Sequence, residues 1–114
     1  ISVRDSASKE KKENFYHGML LGLLRFREDW YIKSNAESGA GYSDILIEIP
    51  QKRIGIVIEM KYAEQGRFDQ ACEAALQQIR EKRYEEKLIE DGMKRVLAYG
   101  IACYRKECEV KMEK

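Results

Sequence analysis

Two apolar runs on either side of a short connection constrain the fold of this chain more than any other part of its sequence. They lie within SDILIEIPQKRIGIVIEMKY, residues 43–62, and the connection between them runs from Pro50 to Arg53. Isoleucine is frequent in both runs, and β-branched residues favour strands. The second run, IGIVIEM, is apolar enough to be buried on both faces. We therefore predict a hairpin whose second strand lies at the centre of a sheet.

Helical periodicity surrounds this hairpin. Apolar residues recur at spacings of three and four from about Ser8 to Glu28 and again from Phe68 to Ile79, which predicts two amphipathic helices. A charged segment from Tyr84 to Asp91 is expected to continue the second helix as far as Gly92, because glycine commonly ends helices.

Three further strands complete the expected sheet. The segment WYIKSNAES begins with aromatic and β-branched residues and leads into a turn at Gly39 and Gly41. The segments RVLAYGIACY and CEVKME form a closing pair of strands around a turn near Lys106. The expected fold is therefore α/β, with a central mixed sheet flanked by helices and the element order α-β-β-β-α-β-β.

Length and composition favour one domain. A chain of 114 residues with 44% hydrophobic residues can build one core but hardly two, so residues 1–114 are expected to form a single domain. The chain starts at Ile1 instead of Met, and we expect it to be a fragment of a longer protein.

Charge, hydropathy and cysteine content limit the partners and the location. Lys and Arg number 21 against 20 Asp and Glu, a net charge of +1, so a polyanionic partner would need a local basic patch. The apolar run GMLLGLL is too short to span a membrane, and no membrane partner is expected. Cys72, Cys103 and Cys108 form no CxxC pair, which indicates reduced thiols and a cytoplasmic location.

Charged residues stand at the ends of the two central runs. Asp44 opens the first strand, and Glu59 and Lys61 close the second, where their spacing of two puts them on one face. In an antiparallel hairpin the start of the first strand lies beside the end of the second, so the three side chains are expected to converge. Two converging carboxylates repel each other unless a hard cation such as Mg²⁺ or Mn²⁺ binds them, and the backbone carbonyl of Met60 could add a ligand.

This constellation suits phosphodiester hydrolysis. A bound metal ion polarises a phosphoryl oxygen and lowers the pKa of bound water, and the ammonium of Lys61 can position that water or offset developing negative charge. The alternative is solvated strand ends joined by weak surface salt bridges. Glu-x-Lys occurs four times, at residues 10–12, 59–61, 85–87 and 109–111. Only the second follows a buried-type strand whose partner begins with an Asp.

Several blocks of the sequence resemble, in order, the nuclease-type domain found C-terminal to predicted AAA-type ATPases in bacteria, within the PD-(D/E)XK nuclease superfamily. The blocks are ENFYHGMLLGLL, KSNAESGAGYSDILIEI, IVIEMKY and ALQQIREKRY. The resemblance runs from about Lys12 to Cys108 and implies a restriction-endonuclease-like core in the C-terminal part of a longer protein. It also implies that Asp44 and Glu59 hold the metal ion and that Lys61 is catalytic.

The resemblance also indicates accessory residues on the helices. Glu13 on the first helix would complete the metal site. His17 lies on the same helical face, although a lone histidine beside an apolar stripe is more often a hydrogen-bonded packing residue. Gln78 and Tyr84 lie where related exonuclease-like proteins carry a Gln and a Tyr, but their spacing of six would put them on different sides of one helix.

The expected function is a metal-dependent nuclease that acts on DNA in preference to RNA. An N-terminal ATPase domain and a second copy of the chain are left open as partners. The alternative is a catalytically weak or inactive module that keeps the nuclease fold and regulates the attached ATPase domain.

Two basic clusters could contact a phosphate backbone. They are Lys9, Lys11 and Lys12, and Arg80, Lys82 and Arg83. Glutamates interleave with the second cluster, which favours a solvated helix face. Tyr16, Phe26 and Trp30 have spacings that favour core packing over base stacking.

Overall fold

Five strands and three α-helices are found in the computed structural model, which describes residues 3–24, 27–36 and 43–114. In chain order they are α1 (Val3–Leu24), β1 (Tyr31–Ala36), β2 (Ser43–Ile49), β3 (Ile54–Tyr62), α2 (Phe68–Glu81), α3 (Tyr84–Glu90), β4 (Arg95–Tyr104) and β5 (Glu107–Glu113), with a short 3₁₀ turn at Glu64–Gly66. The predicted turn at Gly39 and Gly41 and the predicted core residue Phe26 lie outside the described residues. None of the helices described is long and apolar enough to cross a membrane.

The strands form one mixed sheet in the order β1-β2-β3-β4-β5, with β3 at its centre as predicted. The predicted hairpin is confirmed, since β2 and β3 are antiparallel and Ile49 pairs with Ile54 next to the connecting turn. β3 and β4 are parallel, and α2 and α3 form the crossover that joins them. β3 has a hydrogen-bonded neighbour on each side, and it is buried on both faces, with Val57 in the core of one face and Ile58 in the core of the other, as its apolar run predicted.

Helices cover both faces of the sheet. Strand alternation sends Ile45 and Ile58 to one face, where they pack with Leu20 of α1. On the opposite face Val57 packs with Leu76 of α2. We call these the α1 face and the α2 face.

The second predicted helix is in fact two helices. α2 ends at Glu81, Arg83 adopts the left-handed conformation with φ 56°, and α3 starts at Tyr84. A left-handed residue cannot continue a right-handed helix. The expected continuous helix is therefore wrong, and Tyr84 and Leu88 of α3 turn into the core of the α2 face. No glycine marks the break, so the sequence pattern did not indicate it.

Two of the cysteines face each other across the β4–β5 hairpin. Cys103 pairs with Cys108, and their sulfur atoms are 2.6 Å apart. Both are free thiols, as is Cys72. Burial and the neighbouring Cys108 raise the pKa of the Cys103 thiol. Strand pairing creates this proximity, and the spacing of the cysteines in the sequence did not indicate it.

Candidate functional site

Asp44 and Glu59 form a buried pair of acids, which we call the acid pair. They are directly opposite each other in the last pair of the β2–β3 ladder, and each residue is 0% exposed. Directly opposed residues send their side chains to the same face, which here is the α2 face that also carries Val57. The structure thus brings the two carboxylates together, as the hairpin predicted.

Lys61 lies on the same face, two residues beyond Glu59 in β3. Its ammonium nitrogen is 3.8 Å from Oε1 of Glu59, and only 11% of its side chain is exposed. A charge that is largely withdrawn from water acts more strongly on its neighbours than a solvated one. Lys61 therefore lies beside the acid pair, on the face that its spacing from Glu59 predicted.

Within the described residues, the pairing of β2 with β3 ends at the acid pair. β3 continues beside β4 as far as Tyr62, whereas its pairing with β2 stops at Glu59. Successive peptide groups of a strand point to opposite edges, and the N–H of Ala63 donates to the carbonyl of Cys103 in β4. The carbonyl of Met60 therefore points away from β4, towards the β2 side of β3.

Three oxygens of the acid pair have no hydrogen-bond partner among the residues that the structure describes. They are Oδ1 of Asp44 and both carboxylate oxygens of Glu59. Buried polar groups are nearly always hydrogen-bonded, and a buried charge is costly unless something compensates it. Carboxylate and carbonyl oxygens are the ligands that Mg²⁺ and Mn²⁺ prefer. These oxygens, with the Met60 carbonyl, fit a divalent cation.

The remaining oxygen of Asp44 has two donors. The ammonium of Lys82 donates to Oδ2 at 3.0 Å, and the hydroxyl of Tyr84 donates to the same oxygen. These two residues flank Arg83, whose left-handed conformation separates α2 from α3. The break between the helices therefore places both donors over Asp44.

Lys82 contacts Asp44, which the sequence analysis did not predict. Its charge pattern indicated a solvated helix face, yet only 20% of its side chain is exposed. In a continuous helix, residues 82 and 84 would point in different directions, because residues two apart do not share a face. The left-handed residue between them brings both to one carboxylate, and only the resemblance had indicated a role for Tyr84.

An Asp that opens one strand and a Glu-x-Lys that closes its hairpin partner thus meet on one buried face. Residues 11–113 match the sequence model of the PD-(D/E)XK nuclease superfamily. The chain belongs to this superfamily. Its five-stranded mixed sheet with flanking helices is a restriction-endonuclease-like core, as expected. No curated protein and no solved structure matches the chain.

In this PD-(D/E)XK domain, α1 carries two buried titratable residues, Glu13 and His17. Each has its own hydrogen-bond partner. Oε2 of Glu13 accepts the N–H of Tyr62 at 2.9 Å, and Nε2 of His17 lies 2.8 Å from Oγ of Ser34. Across the described segments, no three His, Cys, Asp or Glu side chains group closely enough to hold a metal ion. Glu13 therefore lies near the end of β3 without joining the acid pair in one cluster, and its role as a ligand stays a prediction.

Gln78 is half-buried near the end of α2. Its backbone carbonyl accepts the N–H of Lys82 at 3.1 Å. Among the side-chain hydrogen bonds of the described residues, none joins Gln78 to the acid pair. Gln78 thus belongs to the helix end that carries Lys82, and a direct role in the chemistry stays a prediction.

Gly100 of β4 allows α2 to approach the PD-(D/E)XK sheet next to the acid pair. Gly100 pairs with Glu59 across the parallel strands, and a Cβ at this position would lie 2.6 Å from the carbonyl oxygen of Cys72 in α2. No side chain fits in that space without moving the helix. The absence of a side chain here therefore helps to set the height of α2, and with it Lys82, above the sheet.

Proposed function

We propose that this domain is a metal-dependent nuclease that hydrolyses phosphodiester bonds of DNA in preference to RNA. The observation that supports it most is the buried acid pair, three of whose oxygens lack a hydrogen-bond partner in the described part of the chain. An acid pair that served only the fold would be expected to satisfy these oxygens with donors. The membership of the PD-(D/E)XK nuclease superfamily supports the same reaction class.

Asp44, Glu59 and the carbonyl of Met60 would hold Mg²⁺ or Mn²⁺, and Glu13 is proposed as a further ligand. When bound, such an ion polarises a phosphoryl oxygen and lowers the pKa of a bound water. Lys61 would position the attacking water or stabilise the negative charge that develops on the phosphate. Its short distance to Glu59 supports this role.

Lys82 and Tyr84 would position Asp44. Their two hydrogen bonds to Oδ2 orient the carboxylate so that Oδ1 is the oxygen available to a cation. The ammonium of Lys82 would also attract a phosphate to this end of the sheet. Gln78 on α2 and His17 on α1 are proposed as accessory residues.

The alternative function is an inactive module that keeps the nuclease fold and regulates an attached ATPase domain. Another copy of the chain is also a candidate partner. One observation favours the inactive module. Lys61 and Lys82 each lie beside one carboxylate of the acid pair, so two cations balance two anions without a metal ion. Under this reading Lys61→Ala leaves biological activity unchanged, and substitutions on the exposed surface of α2 disrupt partner binding.

The deciding experiment measures metal binding and cleavage separately. Calorimetry with Mn²⁺ and gel assays on DNA and RNA are applied to the wild-type domain and to Glu59→Gln and Asp44→Asn. We expect wild-type binding of Mn²⁺, cleavage of DNA, and loss of both in the two variants, because each removes a charged ligand.

Glu85→Gln is a matched control, because Glu85 belongs to another Glu-x-Lys triplet but is exposed on α3. It should leave metal binding and cleavage unchanged. If the wild-type domain cuts neither DNA nor RNA and binds no Mn²⁺ in an Asp44-dependent manner, the nuclease proposal is wrong.

A further inference from the structure

A cleft of about 490 Å³ opens on the α1 side of the molecule. It is lined by Lys11, Lys12, Phe15, Tyr16, Tyr62 and Arg105. These residues come from α1, from the last position of β3 and from the turn between β4 and β5. We call it the basic–aromatic cleft, because three of its lining residues are cations and three are aromatic.

The cations of the cleft are available to an anionic ligand. Among the residues that the structure describes, no carboxylate forms an ion pair with Lys11, Lys12 or Arg105, and no acidic residue lines the cleft. The ammonium of Lys12 lies 4.5 Å from the centroid of the Tyr62 ring and 3.2 Å from its hydroxyl. The cleft therefore concentrates positive charge in a chain whose net charge is only +1.

Arg105 contributes from an uncommon backbone conformation. Its φ is 55°, a region that favours glycine, and the chain nevertheless carries a long cationic side chain there. Its guanidinium lies 5.1 Å from the centroid of the Tyr104 ring. Its carbonyl accepts the hydroxyl of Tyr16 at 2.6 Å, which joins the turn to α1.

The aromatic residues differ in what they contribute to the fold. Tyr16 packs against the core of the α1 face, in part as predicted, and burial raises the pKa of its phenol, which stays protonated and donates to Arg105. Phe15 is 67% exposed, and its ring meets that of Tyr16 edge to face with the centroids 5.6 Å apart. Solvent exposure leaves a face of Phe15 open for stacking.

The cleft and the acid pair lie at the same end of β3. Tyr62 follows Glu59 by three residues, a separation of about 10 Å along a strand. The cleft lies on the α1 face and the acid pair on the α2 face, so a nucleic-acid strand that contacted both would pass round the end of β3.

We infer that the basic–aromatic cleft binds unpaired nucleotides, so that the substrate of the domain carries a single-stranded segment. Aromatic rings stack on bases that are not already stacked in a duplex, while cations bind the backbone of either form. A site that bound only the phosphates of a duplex would need the cations, but it would not need the exposed ring of Phe15. The inference rests on the proposed function for the reaction, but binding at the cleft can be tested without cleavage.

The test compares binding of a labelled oligothymidylate with binding of a blunt duplex, without divalent metal ions, by fluorescence anisotropy. Phe15→Ala should weaken oligothymidylate binding about tenfold, as expected for the loss of one stacked base, and change duplex binding little. Lys12→Gln should lower the slope of log affinity against log salt by about 0.7, the value for one phosphate contact on a single strand. Phe15→Trp should retain the affinity.

Ile89→Ala is the matched control, since Ile89 is a comparably exposed apolar residue on α3, away from the cleft. It should leave binding unchanged. The inference is overturned if Phe15→Ala leaves oligothymidylate affinity unchanged or weakens duplex binding equally. It is also overturned if polyglutamate displaces the oligonucleotide at constant ionic strength, which would indicate an acidic protein partner.

Failure of this inference and failure of the nuclease proposal give different results. Phe15-dependent binding of oligothymidylate without cleavage by the wild-type domain would support the cleft and contradict the nuclease. Cleavage of a blunt duplex at a rate unaffected by Phe15→Ala would support the nuclease and contradict the cleft.

Discussion

The acid pair and the basic–aromatic cleft lie at the same end of β3 but differ in how their charges are accommodated. Asp44 and Glu59 are fully buried on the α2 face, and strand register puts them opposite each other. The cleft is open to solvent and draws its residues from three separate segments of the chain. A buried charge needs a specific partner, whereas an exposed charge is compensated by water.

This difference indicates which substitutions each region tolerates. A change in the acid pair or its direct neighbours should alter both activity and stability, because the compensation is specific. A change in the cleft should alter binding and leave stability nearly unchanged, because water replaces what is lost. The predictions below test this contrast, from the largest expected effect to the smallest.

Lys61→Ala should lower the rate of DNA cleavage by about 10²-fold or more, the usual loss when one group that stabilises developing charge is removed. Single-turnover kinetics at saturating Mn²⁺ would measure it. Lys87→Ala, in the exposed Glu-x-Lys triplet on α3, should leave the rate unchanged. Equal rates for wild type and Lys61→Ala would mean that Lys61 behaves like an exposed charge.

Lys82→Ala should destabilise the fold by about 3 kcal/mol, because it leaves Asp44 as a buried charge without its cation. Urea unfolding would measure this loss. Adding Asp44→Asn in the same chain should restore part of the stability, since the charge that needed Lys82 is gone. Lys11→Ala, in the cleft, should change stability by less than about 0.5 kcal/mol. Similar losses for the two lysine variants would contradict the contrast.

Gly100→Ala should destabilise the fold by about 1 to 3 kcal/mol, because the new methyl group would clash with the backbone of α2 at Cys72. The matched control is Gly22→Ala in α1, where a Cβ would meet nothing within 4 Å. That change should stabilise the helix by up to about 1 kcal/mol. Thermal unfolding of both variants would test whether the close approach of α2 to β4 requires a glycine at position 100.

Glu48 and Asp91 are two neighbouring carboxyl groups at the other end of β2, and they can be compared with the acid pair. Burial, a hydrogen bond with Asp91 and the negative charge of Asp91 raise the pKa of Glu48, while Lys87 opposes the change. The folded state therefore binds the Glu48 proton more tightly than the unfolded state. The stability that this proton contributes is complete below the unfolded pKa of about 4.3 and is lost as pH rises through the raised folded pKa.

Glu48→Gln should therefore increase stability slightly near neutral pH, by about 0.5 kcal/mol or less, and this gain should vanish in acid. Melting temperatures of the wild type and the variant across the acidic range would measure the difference. Glu85→Gln, on the exposed surface of α3, should show no such pH dependence. A variant less stable than wild type at neutral pH would show that Glu48 is stabilising as an anion.

Much of the fold could be predicted because its signals are local. The β-branched runs on either side of Pro50–Arg53 predicted the central hairpin, and period-two alternation predicted that Glu59 and Lys61 share a face. The helix break at Arg83 could not be predicted, since it has no glycine and the left-handed conformation is held by the packing of Tyr84 and Leu88.

The candidate site divides in the same way. Asp44, Glu59 and Lys61 could be proposed from the sequence because a short hairpin leaves little freedom of register. Lys82 could not, because its contact with Asp44 joins residues 38 positions apart through a crossover. The partner of Glu13, the N–H of Tyr62, likewise depends on where α1 lies against the end of β3.

The sequence by itself determined the central hairpin and the face on which its charges lie, because strand periodicity and a short turn act between neighbouring residues. Only the tertiary structure decided how those charges are compensated and which cations and aromatic rings meet in the cleft. Lys82 reaches Asp44, and Lys12 and Arg105 meet in one cleft, only after the crossover and the β4–β5 turn have packed. Such contacts depend on the relative placement of whole elements, which no local pattern specifies.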